Sequence, residues 1–256
     1  MTATTTQTQT TVQNLAAEKV TEYREQGFVH VPGVISKEEA AEFRQAALDL
    51  SERMGSYNQN GIFTQLVNAW VEDETIRRLT MHPNIAAIAE RLSGVSLRLW
   101  HDQTLIKQPH NKKPTEFHQD QPLWPHDNKH TSISAWVALC DVPFERGCMT
   151  FLPGSHTRTD LEAMNLGDPR SVFEIAPNMT WSPRVTLPIQ AGDCTFHNSR
   201  TVHMANENDT DEPRVAHIVL MMDAETTYRK RPHPVTDPLE LEEGAPLTHD
   251  VFPRMT

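Results

Sequence analysis

Glycine is scarce in this 256-residue chain: it has 10, where average usage near 7% would give roughly 18. That shortage excludes a glycine-rich linker protein or a collagen-like repeat. Cysteine is scarcer still. Cys140, Cys148 and Cys194 are odd in number, sit in apolar, strand-like contexts and show no CxxC spacing, so a disulfide framework is excluded and buried free thiols in a reducing compartment are expected. No apolar run approaches the length of a membrane span, and the Thr- and Gln-rich start lacks the apolar stretch of a signal peptide. A cytoplasmic, soluble protein is therefore expected. Positive charge is also in deficit, with 23 Lys and Arg against 34 Asp and Glu and a net charge of −11. No long basic run offsets this, and Arg229-Lys230-Arg231 reads as a solvated turn, so nucleic acid is excluded as a partner and a small molecule is expected instead.

What is present is enough chain to bury a sizeable core, and a single domain over residues 13–256 is expected behind a disordered tail at 1–12. Helical periodicity dominates as far as residue 94. Ser36 and Glu39 have the spacing of a capping box, and Ala40, Phe43, Ala46, Ala47 and Leu50 follow at three- and four-residue intervals, which predicts a helix over Lys37–Met54. A second helical region spans 73–92, with Pro83 suited to the first turn of its later part. From residue 96 the texture changes to short apolar runs broken by Pro, Gly, Asn and Asp. Strands are predicted at 28–31, 96–108, 131–140, 148–152, 172–175, 185–189, 194–197 and 215–222. Helices first and strands afterward, without βαβ alternation, indicate an α+β, mainly β layout: an antiparallel sandwich or barrel over 96–222, buttressed by helices from 13–94. The Pro-rich end, 223–256, reads as a wrap or lid with few core residues.

The chemistry-bearing residues lie within the β region. In Phe117-His118-Gln119-Asp120, positions i and i+2 of a strand face one way, which sets an imidazole beside a carboxylate. Taken alone, such a pair is more often structural. His203 lies far downstream, and two histidines with one carboxylate are the inventory that holds a ferrous ion on one face and leaves the other positions open. Arg214 offers a planar, permanently charged fork for a carboxylate, or equally a salt bridge to Asp209, Asp211 or Glu212.

Together with Trp136 in the run 133–139, Gly147 through His156, Gly192-Asp193 and Asn208, these residues resemble the phytanoyl-CoA dioxygenase family over most of the chain. The resemblance implies a double-stranded β-helix, also called a jelly roll, and an oxygenase that uses Fe(II), 2-oxoglutarate and O2. It implies that His118, Asp120 and His203 ligate the metal, that Arg214 binds the distal carboxylate of 2-oxoglutarate, and that Trp136 packs near that co-substrate. Ala205 departs from the pattern, because many members carry a Ser or Thr there that also bonds the distal carboxylate. The implied reaction hydroxylates an unactivated C–H bond with release of succinate and CO2, and a natural-product intermediate is the expected substrate ahead of an acyl-CoA thioester. Asp120 argues against halogenation, since family members that halogenate replace this carboxylate by a small residue. Desaturation, epoxidation and rearrangement use the same ligands. Two further readings stay open: a cupin-like metal enzyme without 2-oxoglutarate, in which Arg214 has no defined task, and an inactive binding protein, which would be free to lose the triad.

Other residues carry weaker expectations. Lys107 reads as solvated, Gln119 as a supporting hydrogen bonder on the far side of its strand, His156 as structural, and His197 and His217 as satisfied core histidines. Substrate contacts are expected from the segments 57–66, 123–130 and 161–181 and from the C-terminal region, through residues such as Phe63, Trp124 and Trp181.

Overall fold

The computed structural model describes residues 9–57, 60–127, 129–162, 164 and 170–256. In chain order the elements are α1 (Ala17–Gln26), β1 (Phe28–Val31), α2 (Lys37–Met54), β2 (Thr64–Val67), α3 (Glu74–Thr80), α4 (Pro83–Ser93), β3 (Leu97–Lys107), β4 (Thr115–His118), β5 (Ser132–Ala138), β6 (Met149–Phe151), α5 (Val172–Ile175), β7 (Val185–Leu187), β8 (Cys194–Asn198), β9 (His203–Ala205) and β10 (Arg214–Asp223). A six-stranded sheet runs β1-β8-β5-β10-β3-β2, and a four-stranded sheet runs β4-β9-β6-β7. All pairings are antiparallel. This is the mainly β core with a helical buttress that the pattern predicts, and its two antiparallel sheets form the jelly roll that the resemblance implies.

The predicted capping box opens α2: Glu39 N–H donates to Ser36 Oγ at 3.1 Å and Ser36 N–H donates back to Glu39 Oε2 at 2.8 Å. The helical region 73–92 divides into α3, started by the Asp73 carboxylate on the Thr75 and Ile76 amides, and α4, started at Pro83. α3 packs against α2, and α4 packs against α1 and the outer face of the large sheet.

Residue parity sorts the large sheet between two cores. On β5, Ile133, Ala135 and Val137 join the helix side, while Trp136 and Ala138 join the interior between the sheets. On β10, Val215, Val219 and Met221 go to the helices and Ala216, Ile218 and Leu220 go inward. Arg214 shares the inward parity, and on β8 so does His197, because Cys194 and Phe196 face the helices.

Several expectations need correction. Residues 172–175 form a helical turn rather than a strand, because Ser171 and Glu174 make a second capping box that caps it locally. Residues 1–8 of the expected disordered tail lie outside the described residues. Residues 9–12 are instead tied down, with Thr10 N–H donating to Gly33 O at 2.7 Å and Gln9 Nε2 to Glu39 Oε2 at 2.7 Å. The C-terminal region holds more core than its composition suggests. Tyr228, Val235, Leu247, Phe252 and Met255 are buried, and Arg254 pairs with Arg98 on β3. The three cysteines are free, but Cys140 is only half-buried. No helix among the described residues is long and apolar enough to cross a membrane.

Candidate metal centre and co-substrate pocket

His118 ends β4 and His203 opens β9, and the two are cross-strand partners with ring centroids 4.4 Å apart. Each imidazole is oriented in the same way. His118 Nδ1 lies 2.7 Å from Glu116 O and His203 Nδ1 lies 2.9 Å from Thr201 O, so each ring donates to a carbonyl two residues upstream. Both Nε2 lone pairs are thereby left aimed at Asp120, whose Oδ1 stands 3.4 Å from His118 Nε2 and 3.9 Å from His203 Nε2. The three ligand atoms lie within 4.8 Å of one another, and this is the only such His/Asp group found among the described residues. Two neutral imidazoles and one carboxylate on one side of a cavity fit a ferrous ion with open positions.

The electrostatics of the three groups are coupled. Burial and the nearby His118 push His203 down to about 3, which keeps it neutral. For His118 burial acts downward too, but the Asp120 hydrogen bond and charge outweigh it and raise the value. Burial alone would raise Asp120. Its surrounding imidazoles, with His203 the largest influence, hold it well below the usual carboxylate range.

The triad opens onto a cavity of about 190 Å³. Arg214 lies at one part of its wall, 1% exposed, with its guanidinium 5.3 Å from the Trp136 ring centroid. Its Nη1 makes a long bond of 3.5 Å to Leu105 O, and its buried Nε has no hydrogen-bond partner among the described residues. Burial lowers the guanidinium to about 10, which leaves it charged at neutral pH. A buried cation with unmet donors fits a carboxylate ligand such as the distal end of 2-oxoglutarate. The alternative salt bridge to Asp209, Asp211 or Glu212 is not formed, since Arg214 appears in none of the ion pairs found among the described residues.

Strand register supplies a hydroxyl near Ala205. Thr115 on β4 is the cross-strand partner of Ala205, and both line the cavity. An irregularity between Thr115 and His118 allows residues three apart to face the same interior, while Phe117 packs outward against Phe173. Phe63, Leu123 and Trp124 also line the cavity, as do Gln65 and Gln103, where Gln65 Nε2 donates to Gln103 Oε1 at 3.0 Å. Trp181 stands 90% exposed and away from the cavity.

Among the remaining residues, His217 is the satisfied core histidine expected, bonded to Thr80 and Thr104 hydroxyls at 2.9 Å each. Gln119 donates to Arg158 O and Arg200 O and is not part of the cavity wall. His156 packs beneath Gly27, where a Cβ would fall 2.4 Å from its Nδ1. Two expectations fail. Lys107 is fully buried rather than solvated, with Nζ donating to Asn206 O at 2.8 Å and Lys113 O at 3.0 Å, and burial together with Arg214 pushes it down to about 7. His197 lines the cavity, and neither of its ring nitrogens has a hydrogen-bond partner among the described residues. The parity of β8 could have revealed it, and the strand pairing of 115 with 205 is what sequence alone does not supply.

A jelly roll whose interior presents this triad beside a buried, underbonded arginine defines an iron- and 2-oxoglutarate-dependent oxygenase. Sequence comparison agrees, for residues 23–216 match the phytanoyl-CoA dioxygenase (PhyH) family, and the chain belongs to that family. Among curated relatives, the mouse phytanoyl-CoA dioxygenase domain-containing protein 1 is 27% identical over 60% of this chain and 55% of its own length, so the chain spans about half of that relative. A probable alpha-ketoglutarate-dependent hypophosphite dioxygenase of Stutzerimonas stutzeri is 25% identical over 75% of this chain and 73% of its own. Two solved structures are more similar. The non-heme alpha-ketoglutarate-dependent carbocyclase SnoK from nogalamycin biosynthesis is 39% identical, with a TM-score of 0.88, and the match covers 98% of this chain and 100% of SnoK. The epimerase SnoN, solved with Fe3+, alpha-ketoglutarate and nogalamycin RO, is 41% identical, with a TM-score of 0.82, covering 93% and 98%.

Proposed function

We propose that this protein oxidises an unactivated C–H bond of a natural-product intermediate, with His118, Asp120 and His203 as ligands of Fe(II) and Arg214 as the anchor of 2-oxoglutarate. The observation that carries the reading is the single cavity that joins the triad to the unmet donors of Arg214. When bound, iron and 2-oxoglutarate supply the oxidising power for C–H cleavage, with O2 consumed and succinate and CO2 released. Arg214 neutralises the distal carboxylate, Thr115 offers it a hydroxyl in place of the one absent at Ala205, and the Trp136 face supports the guanidinium. Phe63, Leu123 and Trp124 pack against an apolar substrate and exclude water, and the Gln65–Gln103 amide pair turns a polar substituent toward one wall.

Hydroxylation is the direct outcome of such chemistry. A second reading, ring closure or inversion of a carbon centre, is favoured by the similarity to a carbocyclase and an epimerase of one biosynthetic route. Anaerobic titration with Fe(II) and 2-oxoglutarate tests the shared assignment. A charge-transfer band is expected for the wild type and lost in His118→Ala and Arg214→Ala, whereas iron binding without any band in the wild type would overturn it. Incubation with polycyclic intermediates then separates the outcomes by mass: a gained oxygen for hydroxylation, two lost hydrogens for ring closure, and no change for inversion.

A further inference from the structure

A buried histidine with no hydrogen-bond partner on either ring nitrogen requires an explanation, because an unmet buried polar group is costly. His197 is such a residue, 2% exposed, with its ring centroid 4.6 Å from that of His203. It does not complete the ligand group, which consists of His118, Asp120 and His203. Its Nε2 instead lies 3.7 Å from Asp120 Oδ2, the oxygen turned away from both ligand histidines. Ser134 Oγ reaches that same oxygen at 3.5 Å. Ser134 and His197 are cross-strand partners on β5 and β8, and Ser134 is fully buried.

We propose that Ser134 and His197 form a two-donor cradle that holds Asp120 Oδ2 and so presents Oδ1 alone to the metal. The inference rests on the metal-site reading above. The two carboxylate oxygens divide their work: Oδ1 faces the imidazole lone pairs, and Oδ2 faces the Ser134 hydroxyl at 3.5 Å and, at 3.7 Å and short of a formed hydrogen bond, His197 Nε2, both from one rung of the large sheet. The Asp120 backbone is fixed independently, its N–H donating to Ser199 O at 2.9 Å, so the side-chain torsion is the freedom that remains for the cradle to remove. A carboxylate held in this way cannot swing to chelate through both oxygens, and the coordination position it would otherwise take stays open for a co-substrate. His197 and Ser134 are positioning residues in this scheme. They act through Asp120 and touch no reacting atom.

The test is titration of the metal-free protein with Fe(II) under anaerobic conditions and with Co(II), whose visible spectrum reports coordination number. Wild-type protein that binds neither ion refutes the metal-site reading itself. Given wild-type binding, His197→Ala is expected to weaken affinity about 10–100-fold, the usual cost of losing a partner behind a ligand, and to shift the Co(II) spectrum toward higher coordination. His197→Gln, which keeps an N–H donor, is expected to recover most of both. A folded His197→Ala protein with wild-type affinity and spectrum overturns the cradle, as does a His197→Gln protein no better than His197→Ala. If neither variant folds by circular dichroism, Ser134→Ala decides. A several-fold loss of affinity supports the cradle, and unchanged affinity overturns it.

Discussion

Two groups of three buried or half-buried imidazoles lie among the described residues, and they have opposite characters. His118, His203 and His197 surround Asp120. His101, His126 and His233 instead gather around Trp100, with ring centroids 5.5, 4.4 and 4.9 Å from the indole, and Trp124 and Phe252 close the packing. Burial pushes the second group down to about 3, 3 and 4, and His233 adds repulsion for the other two. The rings of this group therefore behave as aromatic packing that pins the C-terminal region, which carries His233 and Phe252, onto β3. The difference between the groups is one carboxylate at the centre. Asp120 gives the first group a charge to converge on, and that charge turns an aromatic cluster into a ligand set.

The strongest test of this contrast removes the carboxylate. Asp120→Ala should leave the chain folded but weaken Fe(II) binding more than about 100-fold, beyond the range for an outer partner, as read by anaerobic calorimetry. Arg214→Met should separate the two halves of the site, leaving metal affinity intact while the 2-oxoglutarate Kd rises about 10–100-fold, in line with loss of a charge-assisted bond. Thr115→Val should raise the same Kd by a smaller factor, about 3–10-fold, and adding Ala205→Ser on the facing strand should restore it if the hydroxyl serves the carboxylate.

The smallest effect concerns the histidines around Trp100 together with His217. Between a folded value near 3 or 4 and the ordinary 6.5, the unfolded chain binds more protons at His101, His126, His217 and His233, so stability falls as pH drops through 6.5 toward 3. Asp102 works in the other direction. Burial raises it to about 7, the folded chain keeps its proton between 3.8 and 7, and its contribution declines as pH rises across that window. With His203 also held at about 3, the lowered histidines outnumber the raised Asp102, which predicts a net loss of Tm on acidification, and His233→Phe should flatten that slope in thermal melts from pH 7 to 4.

His118, Asp120, His203 and Arg214 stand out in the sequence by residue type and by the resemblance they carry, but the i, i+2 strand rule does not account for Asp120, because β4 ends at His118 and Asp120 lies beyond it with helical backbone angles. What escaped was set by pairing between distant strands. Lys107 looks like any lysine before a loop, yet its register opposite Arg214 buries it and leaves the Lys113 and Asn206 carbonyls as its acceptors. Thr115 gains meaning only from its pairing with Ala205. His197 reads as an ordinary core residue in sequence because its strand neighbours are apolar, yet Cys194 and Phe196 face the helices while it faces the cavity. The misread segment 172–175 is the converse case, in which a Ser-x-x-Glu cap overrode β-branched composition.

The irregularity in β4 also bears on how relatives are recognised. Its extra residue places Thr115 and His118 on one side of the strand although an odd number of positions separates them. Deleting one residue at Glu116 or Phe117 would leave the two positions an even number apart, which strict alternation also keeps on one side, whereas straightening the strand at its present length would part the hydroxyl from the imidazole. Relatives can therefore hold the same pair at either spacing, and a motif search that fixes the count of residues upstream of the histidine would pass over one of the two forms.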